Sequence, residues 1–355
     1  MGNAANRPNP GGKEMRVFHL LRPKELVLLR TVRPEPGEGE VLARVAVALT
    51  CGTDLKTYER GHPRLKVPGP LGHEWAGSVE SVGPGVQNFR PGDRIVATPT
   101  APCGDCAFCA RLEENLCLHL FEQMAIGAYG DFLLLPRHIV NRNAFRIPAG
   151  VSDIAAAFLE PLACVVHGAD RLKLSGDRSV VLLGDGPMAL LFVQVARLRG
   201  AGRVVLVGRN TQRLQVARQL GTDFVIDARD TDVRTALDAI TDGVGADTIV
   251  ECVGRPEAWE EAVRLVRRGG AVLFFGGCER GSIVKLDTES AHYDEIAMMG
   301  AFHYTPASVR RAWELIQSGA LKLDPLVSDR LSLEDLEEAF ERVQRREAVK
   351  LAIVP

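Results

Sequence analysis

The chain lacks an excess of charge of either sign: 43 Lys and Arg face 45 Asp and Glu, a formal net charge of −2 over 355 residues. That balance argues against nucleic acid or an anionic membrane surface as a partner. Also missing is any apolar run long enough to span a bilayer. The first residues, MGNAANRPNPGGKE, lack the apolar core of an export signal. Rich in Asn, Pro and Gly, residues 1–14 are expected to form a disordered tail. No internal repeat is present. Without an export signal the expected location is the reducing cytoplasm, where cysteines remain thiols. An apolar fraction of 46% supplies a sizeable core, and the length suggests two domains.

Four of the eight cysteines sit close together. Cys103, Cys106, Cys109 and Cys117 follow C-x2-C-x2-C-x7-C in APCGDCAFCARLEENLC. Four thiolates this close in sequence can close a tetrahedral shell around one zinc ion. A shell of four sulfurs leaves no open position for a substrate, so the expected role is structural. Paired disulfides would need an oxidising compartment. Cys164, Cys252 and Cys278 lie in apolar segments and read as small packed hydrophobes.

From residue 15 to about 150, short apolar runs such as VLARVAVAL (41–49), GSVESVG (77–83) and RIVATP (94–99) alternate with Pro/Gly turns. This suits a compact β-barrel. Near 151 the rhythm changes, with Ser152 as a candidate helix N-cap and Pro161 at a kink or in the first turn of a second helix. Between 178 and 302, β-branched runs at 179–184, 203–208, 223–227, 247–254, 271–277 and 295–302 alternate with helical stretches at 187–199, 211–220, 231–241 and 256–267. A βαβ series of this kind predicts an α/β fold with a doubly wound parallel sheet. Two further helical stretches, 306–318 and 332–344, precede a terminal strand, VKLAIVP, which must pair with an existing sheet.

SVVLLGDGPMA (179–189) reads as a strand, a glycine turn and a helix start, with the pattern Gly184-x-Gly186-x-x-Ala189. In that context it predicts a dinucleotide cradle: Gly184 for the turn, Gly186 for close approach of a pyrophosphate to the helix N-terminus. Pro187 and Met188 belong to the same turn. Val253 and Gly276, near the ends of later strands, are further expected cofactor contacts. The second strand ends in Gly208, Arg209 and Asn210, with Arg213 just beyond, where an NAD site usually has a carboxylate. A glycine makes room for a 2′-phosphate and arginines attract one. The charges favour NADP over NAD.

Three shorter motifs complete the set: Cys51-Gly52-Thr53-Asp54, Gly72-His73-Glu74 and Leu159-Glu160-Pro161. With them the chain resembles the zinc-dependent medium-chain dehydrogenases over nearly its whole length. The LEP motif is similar to that of the polyol (sorbitol-type) and threonine dehydrogenase branch. The resemblance implies a GroES-like catalytic domain (15–155) and a Rossmann domain (156–302). A C-terminal segment (303–355) would complete the catalytic domain, with the active site in a cleft between the two domains.

The same resemblance implies two zinc ions per chain. Cys51 and His73 would bind the catalytic one, with Glu74 or Glu160 completing the set and an open position for water or substrate. Zinc would lower the pKa of the alcohol, whose carbon then gives hydride to nicotinamide. Thr53 would relay the proton, Asp54 would orient His73, and Lys350 would approach the cofactor pyrophosphate. Where many relatives carry a relay histidine, this chain has Lys56, which either relays, meets the ribose or an anionic substrate group, or is solvated. The implied substrate is a secondary alcohol of a polyol, sugar or cyclitol, oxidised to a ketone, by a homodimer or homotetramer. The alternatives are an NAD-dependent threonine or simple alcohol dehydrogenase, and a non-catalytic binding protein on the same fold.

Overall fold

A computed structural model describes residues 13–355, so most of the expected tail lies outside the described residues; Glu14, at its end, already starts the first strand. The chain opens with β1 (Glu14–Arg22), β2 (Glu25–Val32), β3 (Val41–Leu49), α1 (Gly52–Arg60), β4 (Gly69–Pro70), β5 (Glu74–Val82) and β6 (Arg94–Ala97). After the four-cysteine loop come β7 (Phe132–Leu135), α2 (Arg137–Arg142), β8 (Ala144–Arg146), α3 (Asp153–Ala157) and α4 (Leu159–Asp170). Alternating strands and helices follow: β9 (Ser179–Leu183), α5 (Pro187–Leu198), β10 (Arg203–Gly208), α6 (Thr211–Gln219), β11 (Phe224–Asp227), α7 (Val233–Ile240), β12 (Ala246–Glu251), α8 (Pro256–Leu265), β13 (Val266–Phe274), α9 (Thr288–Tyr293) and β14 (Ala297–Gly300). The chain closes with α10 (Pro306–Gln317), β15 (Val327–Ser332), α11 (Leu336–Gln344) and β16 (Lys350–Val354).

Two compact units result. One holds the described residues up to Ala163 together with Tyr304–Pro355; the other is Cys164–His303, so the boundary falls inside α4. In the first unit β15, β16, β3, β5, β6 and β8 form one sheet, with β7 also on β3, while β2, β1 and β4 form a smaller one. The terminal strand enters that larger sheet antiparallel to β3, with Ala352 opposite Leu49. Its core includes Trp75, Tyr129, Phe340, Leu351 and Ile353, all essentially inaccessible.

In the second unit six parallel strands run β11-β10-β9-β12-β13-β14. Numbered within the unit this is 3-2-1-4-5-6, the dinucleotide-binding Rossmann order, whose switch point lies between β9 and β12. Strand β9 is buried along its whole length, as a central parallel strand must be when helices cover both faces. Ser152 caps α3, accepting from the Ala155 amide at 3.1 Å, and Pro161 occupies the first turn of α4, where its missing N–H costs nothing.

Neither the short helices α1 and α2 of the first unit nor β15 and α9 were foreseen from the sequence. Strand β15 reads VSDRLS and is exposed at four of six positions, so it carries no apolar alternation; its parallel pairing with β16 defines it. Helix α9 is a single short, fully polar-capped turn after Asp287.

Candidate active site

Strand register assembles the first cluster. Leu49, the last residue of β3, pairs with Glu74, the first residue of β5, so the residues just past each strand end, Cys51 and His73, meet. The ligand atoms of Cys51, His73 and Glu74 all lie within 4.8 Å of one another. Gly72 has φ +92°, and a Cβ there would fall 2.7 Å from the Tyr129 amide nitrogen, so only glycine permits this approach. Cys51 also caps α1, its Sγ accepting from the Thr53 amide at 3.4 Å.

Buried polar groups brace the cluster. Asp54, inaccessible in the first turn of α1, lies 3.2 Å from His73 Nδ1 and accepts from the Gly72 amide at 3.3 Å. An ionised carboxylate can only accept, so Nδ1 carries the hydrogen and Nε2 is left as the electron-pair donor. The Tyr129 hydroxyl lies 3.0 Å from the other Asp54 oxygen and 3.1 Å from the Leu49 carbonyl, dividing its one proton between them. Burial opposes charge on His73, but Asp54 and Cys51 outweigh it and hold the imidazole pKa well above its ordinary value. Burial, seconded by Glu74, pushes the Cys51 thiol up against the pull of His73.

Glu74 is completely buried. One of its oxygens receives Lys350 Nζ, which also donates to the Thr50 carbonyl at 2.9 Å; the other oxygen, Oε1, has no hydrogen-bond partner. The placement corrects the pyrophosphate role expected of Lys350, since its ammonium is only 1% exposed and taken up by Glu74. Burial works against that charge, but Glu74 and Cys51 outweigh it and raise the lysine pKa. A thiol, an imidazole and a carboxylate with an orphaned oxygen form a donor set that fits a zinc ion with an open position. Glu160, half-buried in the first turn of α4, stands outside this three-residue group, although its charge acts on Lys350. Thr53 and Lys56 are exposed on α1, and Trp75 fills the core of the sheet.

The four-cysteine loop forms the second cluster. Its sulfurs are 3.4 Å (Cys103–Cys117), 3.5 Å (Cys106–Cys109), 3.8 Å (Cys103–Cys109) and 3.9 Å (Cys106–Cys117) apart. Four sulfurs each about 2.3 Å from a central zinc would be about 3.8 Å apart at the edges of a tetrahedron. All four are free thiols, which sets aside the disulfide reading. Backbone amides of Cys109 and Leu118 stabilise the Cys106 thiolate and pull its pKa down to about 6, whereas burial pushes Cys109 up to about 12. Cys109→Ala is expected to remove one zinc per chain and to release the amides of 103–117 to exchange. Elemental analysis and hydrogen exchange read both effects.

In the second unit, Gly184 has φ +114° and its amide reaches the Val207 carbonyl at 2.8 Å, fixing the turn after β9. Gly186 caps α5, Pro187 is its first residue, and a Cβ on Gly186 would meet nothing within 4 Å. Open space before bare backbone at a helix N-terminus fits a pyrophosphate. Val253 is 42% exposed after β12, where the buried Glu251 carboxylate accepts from the amides of Val253 (2.6 Å) and Gly254 (2.8 Å). Gly276 packs there too: a Cβ would lie 2.4 Å from the Gly254 amide nitrogen. At the end of β10, Arg209 is exposed, but Arg213 is buried and lies 3.7 Å from Asp185. Tyr129, the Glu74–Lys350 pair and Asp185 escaped sequence reasoning; Asp185 alone carried a signal, as a charge inside a glycine turn.

The comparisons agree with both units. Residues 37–147 match the sequence model of the alcohol dehydrogenase GroES-like domain, and residues 187–318 that of the zinc-binding dehydrogenases. Sorbitol dehydrogenase of Halalkalibacterium halodurans is 31% identical over 91% of this chain and 93% of its own. L-threonine 3-dehydrogenase of Thermococcus kodakarensis is 32% identical over 91% and 92%. A solved structure from Sinorhizobium meliloti 1021, described as a zinc-binding dehydrogenase bound to NADP, superposes with a TM-score of 0.88 at 30% identity, over 97% of this chain and 100% of that one. The chain belongs to the zinc-binding medium-chain dehydrogenases, the family of zinc-dependent alcohol and polyol dehydrogenases. No helix among the described residues is long and apolar enough to cross a membrane.

Proposed function

We propose that the chain oxidises a secondary alcohol of a polyol, sugar or cyclitol to the ketone, reversibly, with a nicotinamide dinucleotide. The observation that carries this reading is the Cys51–His73–Glu74 donor set with its orphaned carboxylate oxygen. Zinc bound there would supply Lewis acidity that lowers the pKa of the alcohol. The chain's own residues prepare the site. Asp54 and Tyr129 hold His73 in one tautomer and orientation. Lys350 places its ammonium against the buried Glu74 carboxylate, and Glu160 offers a second carboxylate. Thr53, exposed one residue from Asp54, can pass the alcohol proton to solvent, with Lys56 a turn further along α1.

The four-cysteine loop would hold a second, structural zinc. Gly184, Gly186, Pro187 and Met188 would cradle the pyrophosphate, with Val253 and Gly276 bordering the nicotinamide half. The 2′ position of the adenosine ribose would lie by Gly208 and Arg209; NADP is the cofactor named for the S. meliloti structure. The enzyme would work in the cytoplasm, where its thiols stay reduced, as a homodimer or homotetramer.

Zinc-loaded protein mixed with polyols, sugar alcohols, cyclitols, threonine and simple secondary alcohols, with NAD⁺ and NADP⁺ in parallel, tests the reading by nicotinamide absorbance. Turnover of a polyol-type compound is the expected result. Turnover confined to threonine would transfer the assignment to the activity named for the T. kodakarensis relative. Silence across the panel, with both zinc ions bound, would sink the proposal.

A further inference from the structure

We infer that Asp185, inside the glycine turn, is the residue that sets cofactor preference, supplying from the loop the ribose carboxylate that the end of β10 lacks and turning the site toward NAD(H). This rests on the reading of residues 184–189 as the dinucleotide cradle.

The geometry is specific. In a dinucleotide-binding sheet the acidic residue that binds the adenosine ribose stands at the end of the second strand. Here that position is Gly208. A Cβ built on Gly208 would fall 2.6 Å from Asp185 Cβ and 2.7 Å from its Oδ2. The Asp185 side chain therefore occupies the space from which a strand-end aspartate would project. Its backbone origin differs, but the charge arrives at the same place.

The same carboxylate takes the donors a 2′-phosphate would need. Asp185 Oδ2 accepts from the amide of Arg209 at 2.6 Å and from that of Asn210 at 2.8 Å. These amides lead into α6, whose N-terminus would otherwise favour an anion. Arg213 is buried at 3.7 Å from Asp185 Oδ1. Of the two arginines that suggested NADP from charge alone, one is thus engaged by an internal anion, and only Arg209 is exposed. A phosphate entering here meets a carboxylate at close range with its amide donors already used. A ribose 2′-hydroxyl instead meets an acceptor, Oδ1, whose one close cation is at ion-pair distance. Discrimination of this kind needs a repulsive element as well as an attractive one, and Asp185 provides both.

The test is calorimetric titration of the full zinc-loaded chain with adenosine 5′-monophosphate and adenosine 2′,5′-bisphosphate. Wild-type protein is expected to bind the monophosphate at least as tightly. Asp185→Asn keeps the acceptor for the turn amides but loses the charge; it is expected to raise the bisphosphate-to-monophosphate affinity ratio at least about tenfold. Asp185→Gly alone should raise it too. Adding Gly208→Asp to Asp185→Gly returns the carboxylate to the strand end, with Leu214 rotating aside, and should bring the ratio back to within about threefold of wild type. A bisphosphate preference in the wild type, or an unchanged ratio in both single variants, overturns the inference. Failure of every protein to bind either nucleotide overturns the cradle reading, and the inference with it.

Discussion

Replacing Cys51 with serine is expected to lower turnover at least about a thousandfold, because a ligand lost from a Lewis-acid site removes several kcal/mol of transition-state stabilisation. Nucleotide affinity should stay within about twofold of wild type. The separation has a structural basis. Cys51 belongs to the unit that holds His73 and Glu74, whereas the glycine turn, β10 and Asp185 belong to Cys164–His303. Serine is nearly the size of cysteine, and its oxygen can still accept from the Thr53 amide that Cys51 Sγ meets at 3.4 Å, so α1 keeps its cap. What is lost is the sulfur donor beside an imidazole whose orientation Asp54 dictates. Steady-state rates, nucleotide calorimetry and zinc content form the measurement. Full turnover in a variant holding one zinc fewer would remove Cys51 from the chemistry.

Lys350→Met is expected to destabilise the metal-free protein by about 3–5 kcal/mol, because it leaves a buried carboxylate without its counter-charge. Glu74 is completely buried, its Oε1 already lacks a hydrogen-bond partner, and Lys350 is the cation its Oε2 touches. The double variant Lys350→Met/Glu74→Gln removes both charges and should recover most of that loss. Zinc at Cys51, His73 and Glu74 would bring a cation of its own, so the single variant should cost less when zinc is bound. Urea unfolding of the three proteins, with and without metal, gives the comparison. A loss under about 1 kcal/mol in the metal-free single variant would show that the pair does not brace the site.

Much of this was legible because the signals were local. The four-cysteine loop places all its ligands within fifteen residues, so spacing alone implied the shell that the sulfur separations now fit. The parallel sheet announced itself through β-branched runs between helical stretches, and β9 and β10 are indeed nearly inaccessible. Strand β15 was invisible because its partner, not its composition, makes it a strand. Lys350 was misplaced for a related reason. A lysine in a terminal strand reads as a free cation until the register of β16 against β3 brings it beside Glu74.

The sequence by itself determined the chemistry on offer: which side chains can bind zinc, where a pyrophosphate can approach bare backbone, and that two domains of different periodicity carry these functions. Those are properties of residue type and short spacing, set by covalent geometry and by the period of strand and helix. Only the tertiary structure decided which charges face each other. Glu74 and Lys350 lie 276 positions apart, and Asp185 meets the end of β10 across a strand and a helix. Burial makes an unpaired charge costly, so partners are selected by where the folded chain removes water, and no local pattern records that choice.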